Sequence, residues 1–233
     1  MENSEAMAAS PRGKTDLTMR WLAACGIATL VLDVLITVGL AALDPRYNHA
    51  QQYISELGET GRPYAAVFNA WCFIYGVLFA GFAVALGRGL NSRAVLIALL
   101  VIAASSALSG AFPCDPGCAC QTPTARMHML IGFVVLPAII LAPLFAWFAM
   151  QRSAAWRGYR TITLACAVLL LAGTLWLAAC HFLGHRRDEC AVGVAQRLIT
   201  VIQYSWLVAV AVRLWRIADQ PEAKGEIPLV LKK

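Results

Sequence analysis

Residues Trp21–Leu43 read WLAACGIATLVLDVLITVGLAAL, and in that run only Asp33 carries a charge. A helix needs about 20 mostly apolar residues to cross a hydrocarbon core roughly 30 Å thick. The run is long enough to do so, and too long for the short apolar core of a cleavable signal. A chain in lipid must satisfy its backbone polar groups within the segment, so the spanning form is a helix. The run is therefore read as a first transmembrane helix that also targets the chain.

Five more stretches follow the same rule: Tyr64–Leu86, Ala94–Phe112, Met129–Met150, Thr161–Phe182 and Ala195–Leu214. Alternation of period two, as in a membrane barrel, is absent. The 233 residues are 60% hydrophobic and 14% charged, with mean hydropathy +0.66. Soluble domains hold about 25% charged residues, so the apolar excess is assigned to contact with lipid. The expected fold is an all-α polytopic bundle of about six spans, over residues 20–216. Polar tails flank it at residues 1–19 and 217–233.

Charge sets the expected orientation. Thirteen of the 19 Lys and Arg fall on one side, in the two tails, at the adjoining span ends (Arg20, Arg213 and Arg216) and in the short loops 87–93 and 151–160. The other six are Arg46, Arg62, Arg126, Arg186, Arg187 and Arg197. The richer side is expected to be cytoplasmic, which puts both termini inside and implies a bacterial inner membrane. The net charge of +6 is accounted for by topology. No basic stripe interleaved with aromatic residues points to nucleic acid, and lipid is the expected partner.

Chemistry collects on the opposite side. All four histidines lie there: His49, His128, His181 and His185. His181 and His185 are four residues apart, and positions i and i+4 share a helix face. Two such imidazoles with His128 as a third would leave an open position for water, the arrangement of a catalytic zinc. Ser55 or Asp115 would assist in catalysis. Cys114, Cys118, Cys120, Cys180 and Cys190 also lie on this side, where an oxidising compartment favours disulfides. A bridge from Cys190 to the 114–120 cluster is one expectation, and a soft-metal or redox site at the cluster is its competitor. In the first long loop, Ala50–Leu57 is expected to form a short surface helix ended by Gly58 and Gly61.

Asp33 is the only acidic residue inside a span, where a charge costs at least about 2.5 kcal/mol. Its expected partners are Ser105, Ser106, Thr174 or Gln203. Small residues Ala103–Gly110 in the third span are read as close helix packing.

The segment Tyr53-Ile-Ser55-Glu-Leu57-Gly58, then Asn69 and Gly76, resembles the membrane family known as domain of unknown function 998. Gly110-Ala-Phe112-Pro113-Cys-Asp115 and the following His128 fit the same pattern. The resemblance covers about residues 20 to 215. It implies a compact bundle of about six helices in prokaryotic membranes, and no established reaction. Ser55, Asp115, His128, His181 and His185 also match the residue inventory of alkaline-ceramidase-type hydrolases, though not their order. Two functions are thus in view. One is metal-dependent hydrolysis or modification of a lipid-like substrate. The other is a non-catalytic component, a small transporter or assembly partner, that uses Asp33.

Overall fold

A computed structural model describes residues 11–182 and 190–219, with side chains from 17 to 182 and from 190 to 218. Six long helices follow one another: α1 (Pro11–Leu43), α2 (Ala65–Gly89), α3 (Arg93–Ala111), α4 (Pro123–Met150), α5 (Arg160–Phe182) and α6 (Val192–Asp219). All six are long and apolar enough to cross a membrane. The described residues include no strand. Each expected span falls on one helix, and α1, α4 and α6 extend several residues beyond the apolar run. The third long loop, with His185, Asp188 and Glu189, lies outside the described residues, as does the C-terminal tail.

Each helix packs on its neighbours in sequence, and α6 returns to pack on α1. The bundle is therefore a closed ring of six. An even number of spans places the two ends of the chain on one face, and the long loops crown the other. Outward positions are apolar and bare: Leu35, Phe73, Ile97, Leu175 and Val201 are each at least 60% exposed. Large apolar side chains spread this widely around a ring suit lipid rather than water.

The interior differs between its two halves. Towards the termini it is filled by Phe79, Phe82, Leu86, Leu99, Met150, Trp156, Trp206, Leu207 and Leu214, all buried in one cluster. Basic side chains tidy the loops of this face. Arg160 donates to the carbonyls of Met150, Gln151 and Ser153, at and just beyond the end of α4. Arg213 donates twice to Ala155, and Arg20 lies over the Trp215 ring. Towards the long loops polar side chains such as Ser105, Ser106 and Gln203 stand among the inward aromatic and aliphatic ones, and the interior is not filled.

The expected close packing of α3 is present. A side chain added at Gly110 would run into the backbone carbonyl of Asn69 on α2 and the Cys72 side chain. Gly132 faces open space. Gly110→Ala is expected to lower unfolding stability in detergent by about 1–3 kcal/mol, the usual cost of overpacking. Gly132→Ala should leave it unchanged; equal thermal unfolding of the two variants would contradict this packing.

Candidate functional site

The first long loop carries most of the architecture of the loop face. The expected helix over Ala50–Leu57 does not form. Asn48 turns its side-chain oxygen onto the N–H groups of Ala50 and Gln51, an Asx turn that competes with helix. A five-residue 3-10 helix, Ile54–Gly58, follows. The Glu56 carboxylate reaches back to the Tyr53 N–H at 3.0 Å and accepts from Gln52 at 2.9 Å. Glu56 is wholly buried.

Arg197 explains why a basic residue stands in the first turns of α6. Its guanidinium donates to the carbonyls of His49, Gln52 and Gly193 and to the Tyr47 hydroxyl, at 2.6–3.0 Å. Its neighbour in the chain, Gln196, accepts from the Ile54 N–H at 2.6 Å. The loop is thereby stapled to α6. On its other side Arg62 pairs with Asp44 at 2.7 Å and Glu59 at 2.6 Å. Burial raises the Asp44 carboxyl, but Arg62 and Arg46 outweigh it and hold the group below its ordinary range. Glu59 also accepts from the Gly117 N–H at 2.7 Å, and the Thr60 N–H donates to Cys114. The first two long loops thus form one connected cap.

Beneath this cap lies a cavity of about 200 Å³. Its walls come from α1 (Asp33), α2 (Asn69, Trp71, Cys72, Tyr75), α3 (Ser105, Ser106, Ser109), α4 (His128) and α6 (Gln196, Thr200, Gln203, Tyr204). Ser55 and Pro113 close it at the loop end. The polar residues of α3 and α6 recur at spacings of three and four, so each set lies on one inward stripe. Asp33 stands ten residues below the end of α1 at Leu43, about 15 Å down at 1.5 Å per residue. That is about half of a hydrocarbon core roughly 30 Å thick. Trp71 Nε1 donates to one carboxyl oxygen at 2.7 Å, and the Tyr204 hydroxyl to the other at 2.6 Å. The Tyr75 hydroxyl approaches that of Tyr204.

The expected partners of Asp33 need correcting. Its carboxyl bonds to Trp71 and Tyr204, not to Ser105, Ser106, Thr174 or Gln203. Ser106 donates instead to the Cys72 carbonyl, and the buried Thr174 hydroxyl has no protein partner. The usable sequence signal was the pair of apolar-bodied residues with polar tips on α2 and α6, which serve both lipid and hydrogen bonds.

The other site residues separate. Ser55 and His128 both line the cavity near its loop end. The His128 Nδ1 atom lies 2.8 Å from the Phe112 carbonyl. Asp115 is not among the lining residues. It accepts from the N–H groups of Gln121 and Thr122 and from the Thr122 hydroxyl at 2.8–3.0 Å. The Thr122 N–H foremost, against the opposing effect of burial, holds the Asp115 carboxyl below its ordinary range. Thr122 in turn caps α4. His181 is exposed at the end of α5, edge-on to Phe182. The third expected metal ligand, His185, lies outside the described residues. Among the described residues no three His, Cys, Asp or Glu side chains converge as a metal site.

The cysteines also need a correction. Cys190 is bridged to Cys180, not to the 114–120 cluster. The end of α5 and the start of α6 bring those two Cα atoms to 5.7 Å, within the ordinary span of a disulfide. Cys114 and Cys118 lie with sulfurs 2.8 Å apart against Ser55. The adjoining Cys118 thiol, then burial, pushes the Cys114 thiol up.

The residues that carried the family resemblance meet in space. Asn69 donates to the Gly58 carbonyl at 3.1 Å. Side chains at Gly58 or Gly110 would collide with Asn69 from two sides. Phe112 holds His128, and Ser55, Asn69, Pro113 and His128 share the cavity wall. The family pattern for proteins of unknown function, DUF998, matches residues 20–213. The chain belongs to the DUF998 family. This DUF998 protein is a multi-pass membrane protein of six helices. No curated protein and no solved structure matches it. Peptide mapping without reductant is expected to return the Cys180 and Cys190 peptides joined. A Cys190 peptide joined to Cys114, Cys118 or Cys120 would contradict the observed pairing.

Proposed function

We propose that this protein is a non-catalytic, ligand-binding component of the bacterial inner membrane, of the small-transporter kind. Its ligand enters from an extracytoplasmic loop face, and Asp33 is the working group. One observation carries the reading: an acidic side chain deep in the first span lines a cavity of mixed polar and apolar wall that draws on five of the six helices. Ionisable groups inside a membrane are costly and mark substrate or ion pathways. Pockets between the helices of a bundle are a usual place for ligands. The distribution of Lys and Arg supports termini that lie inside.

A hydrolase reading draws on one feature, the shared position of Ser55 and His128 in the cavity wall. It requires a metal held by His128, His181 and His185. Stoichiometric zinc in the purified protein, lost in His181→Ala, would favour it over the reading above.

The binding reading requires water to reach the cavity. In Ser106→Cys membranes, a hydrophilic methanethiosulfonate reagent added from the loop side is expected to label the new thiol. Val168→Cys on the outer surface of α5, 57% exposed in the bundle and facing lipid, should stay unlabelled. Peptide mass spectrometry locates the label. Ser106→Cys as inert as Val168→Cys would overturn the proposal.

A further inference from the structure

The chemistry of the cavity wall selects a class of ligand. Among the described residues, Asp33 is the only carboxylate that lines the cavity, and no Lys or Arg lines it. The arginines of the loop cap nearby are engaged elsewhere. Arg62 is held by Asp44 and Glu59, and Arg197 by three carbonyls and Tyr47. His128, the only lining residue of a basic type, sits at the loop end against the Phe112 carbonyl. The wall is thus built to carry negative charge at its deep end and offers an anion no counter-charge there.

The carboxyl is also aimed. Donors from α2 and α6 fix one oxygen each, at 2.7 and 2.6 Å. A carboxylate accepts about four hydrogen bonds, so lone pairs remain for a ligand. The groups around it are aromatic. Trp71 and Tyr75 stand edge to face with ring centres 6.2 Å apart, and Tyr204 and Phe68 complete the lining. Aromatic faces attract ammonium and guanidinium groups, and more strongly where water is excluded. A bare hard metal ion wants six or more oxygen ligands. Here the nearest neighbours of the carboxyl include an indole N–H, which has no lone pair to give. Asn69, Ser105, Ser106 and Gln203 add neutral hydrogen-bonding groups along the wall. The volume, about 200 Å³, is below the roughly 300 Å³ at which drug-sized pockets begin.

From these features we infer that the cavity binds a small organic cation, an ammonium or guanidinium compound, with Asp33 as its counter-ion and Trp71, Tyr75 and Tyr204 as its aromatic wall. The inference rests on the cavity being a ligand site, as proposed above. Binding by such a cation removes the cost of an unpaired carboxylate in the membrane. A neutral or anionic ligand of the same shape does not.

The test compares two reagents of similar size on full-length Ser106→Cys protein in membranes. One methanethiosulfonate carries trimethylammonium, the other sulfonate. Rates are normalised to those with a free thiol in solution. The cationic reagent is expected to react faster by about tenfold or more, the scale on which a charged cleft concentrates a counter-ion. In Asp33→Asn the two rates should converge, and in Asp33→Glu the preference should persist. Benzyltrimethylammonium should slow labelling reversibly where Asp33 is present and not in Asp33→Asn.

The outcomes separate the two claims. No labelling by either reagent, in any variant, overturns the cavity as a ligand site. Equal rates in the Asp33 protein, or a preference for sulfonate, overturn the cation alone and leave the cavity standing. A cationic preference that survives Asp33→Asn overturns the role of Asp33. Should Asp33→Asn fail to fold, the rate ratio and the protection by benzyltrimethylammonium in the Asp33 protein still decide.

Discussion

A carboxyl group in the middle of a bundle cannot face hydrocarbon unpartnered, so neighbouring helices must hold it. Asp33 finds them on two, Trp71 of α2 and Tyr204 of α6. Those hydrogen bonds join the first helix to the second and to the last, where the ring closes. Much of the loop half of the molecule follows from this junction. Around it the aromatic rings of Trp71, Tyr75 and Tyr204 alternate with short polar side chains such as Ser105 and Ser106, and together they do not fill the space that Phe79, Phe82 and Trp206 fill lower down. The cavity is what remains.

The loop face answers to a second need. A polar cavity in a membrane protein requires a controlled entrance, and the long loops supply a cap instead of loose chain. Arg197 and Gln196 hold the first loop from α6. Glu59 ties it to the second loop at Gly117. Gly58 and Gly110 let the 3-10 helix and α3 approach Asn69 closely, which seats Ser55 over the wall. The Cys180–Cys190 bridge fastens α5 to α6, the helix that receives the cap.

The spans were legible in the sequence because hydrocarbon thickness sets their length and charge marks their ends. The glycine and small-residue pattern of α3 was legible for a similar reason, since close helix approach leaves few residue types available. Asp33 stood out as the only acid in a span, yet its partners did not. Trp71 and Tyr204 lie 38 and 171 positions away, and nothing local reveals that α6 returns to α1. The partner of Cys190 was ten positions away, across the turn from α5 to α6, and cysteine spacing alone does not choose between that pairing and the 114–120 cluster. In the first loop, Asn48 and Glu56 diverted the backbone through side-chain hydrogen bonds that a helical pattern does not register. Arg197, counted in the sequence only as a charge of the loop side, is the fastener of the cap. Of the residues singled out for chemistry, Ser55 and His128 reach the cavity, while Asp115 caps a helix and His181 faces outwards.

The central claim is that Asp33 and Tyr204 are coupled across the closure of the ring. A double-mutant cycle on unfolding in detergent measures this directly, with Asp33→Asn, Tyr204→Phe and the two together. The account predicts that the effects of the single changes fail to add, with a coupling of about 0.5–2 kcal/mol, as for hydrogen bonds between membrane helices. Strict additivity would mean that the two side chains do not sense each other, and the account of the ring and its cavity would not stand.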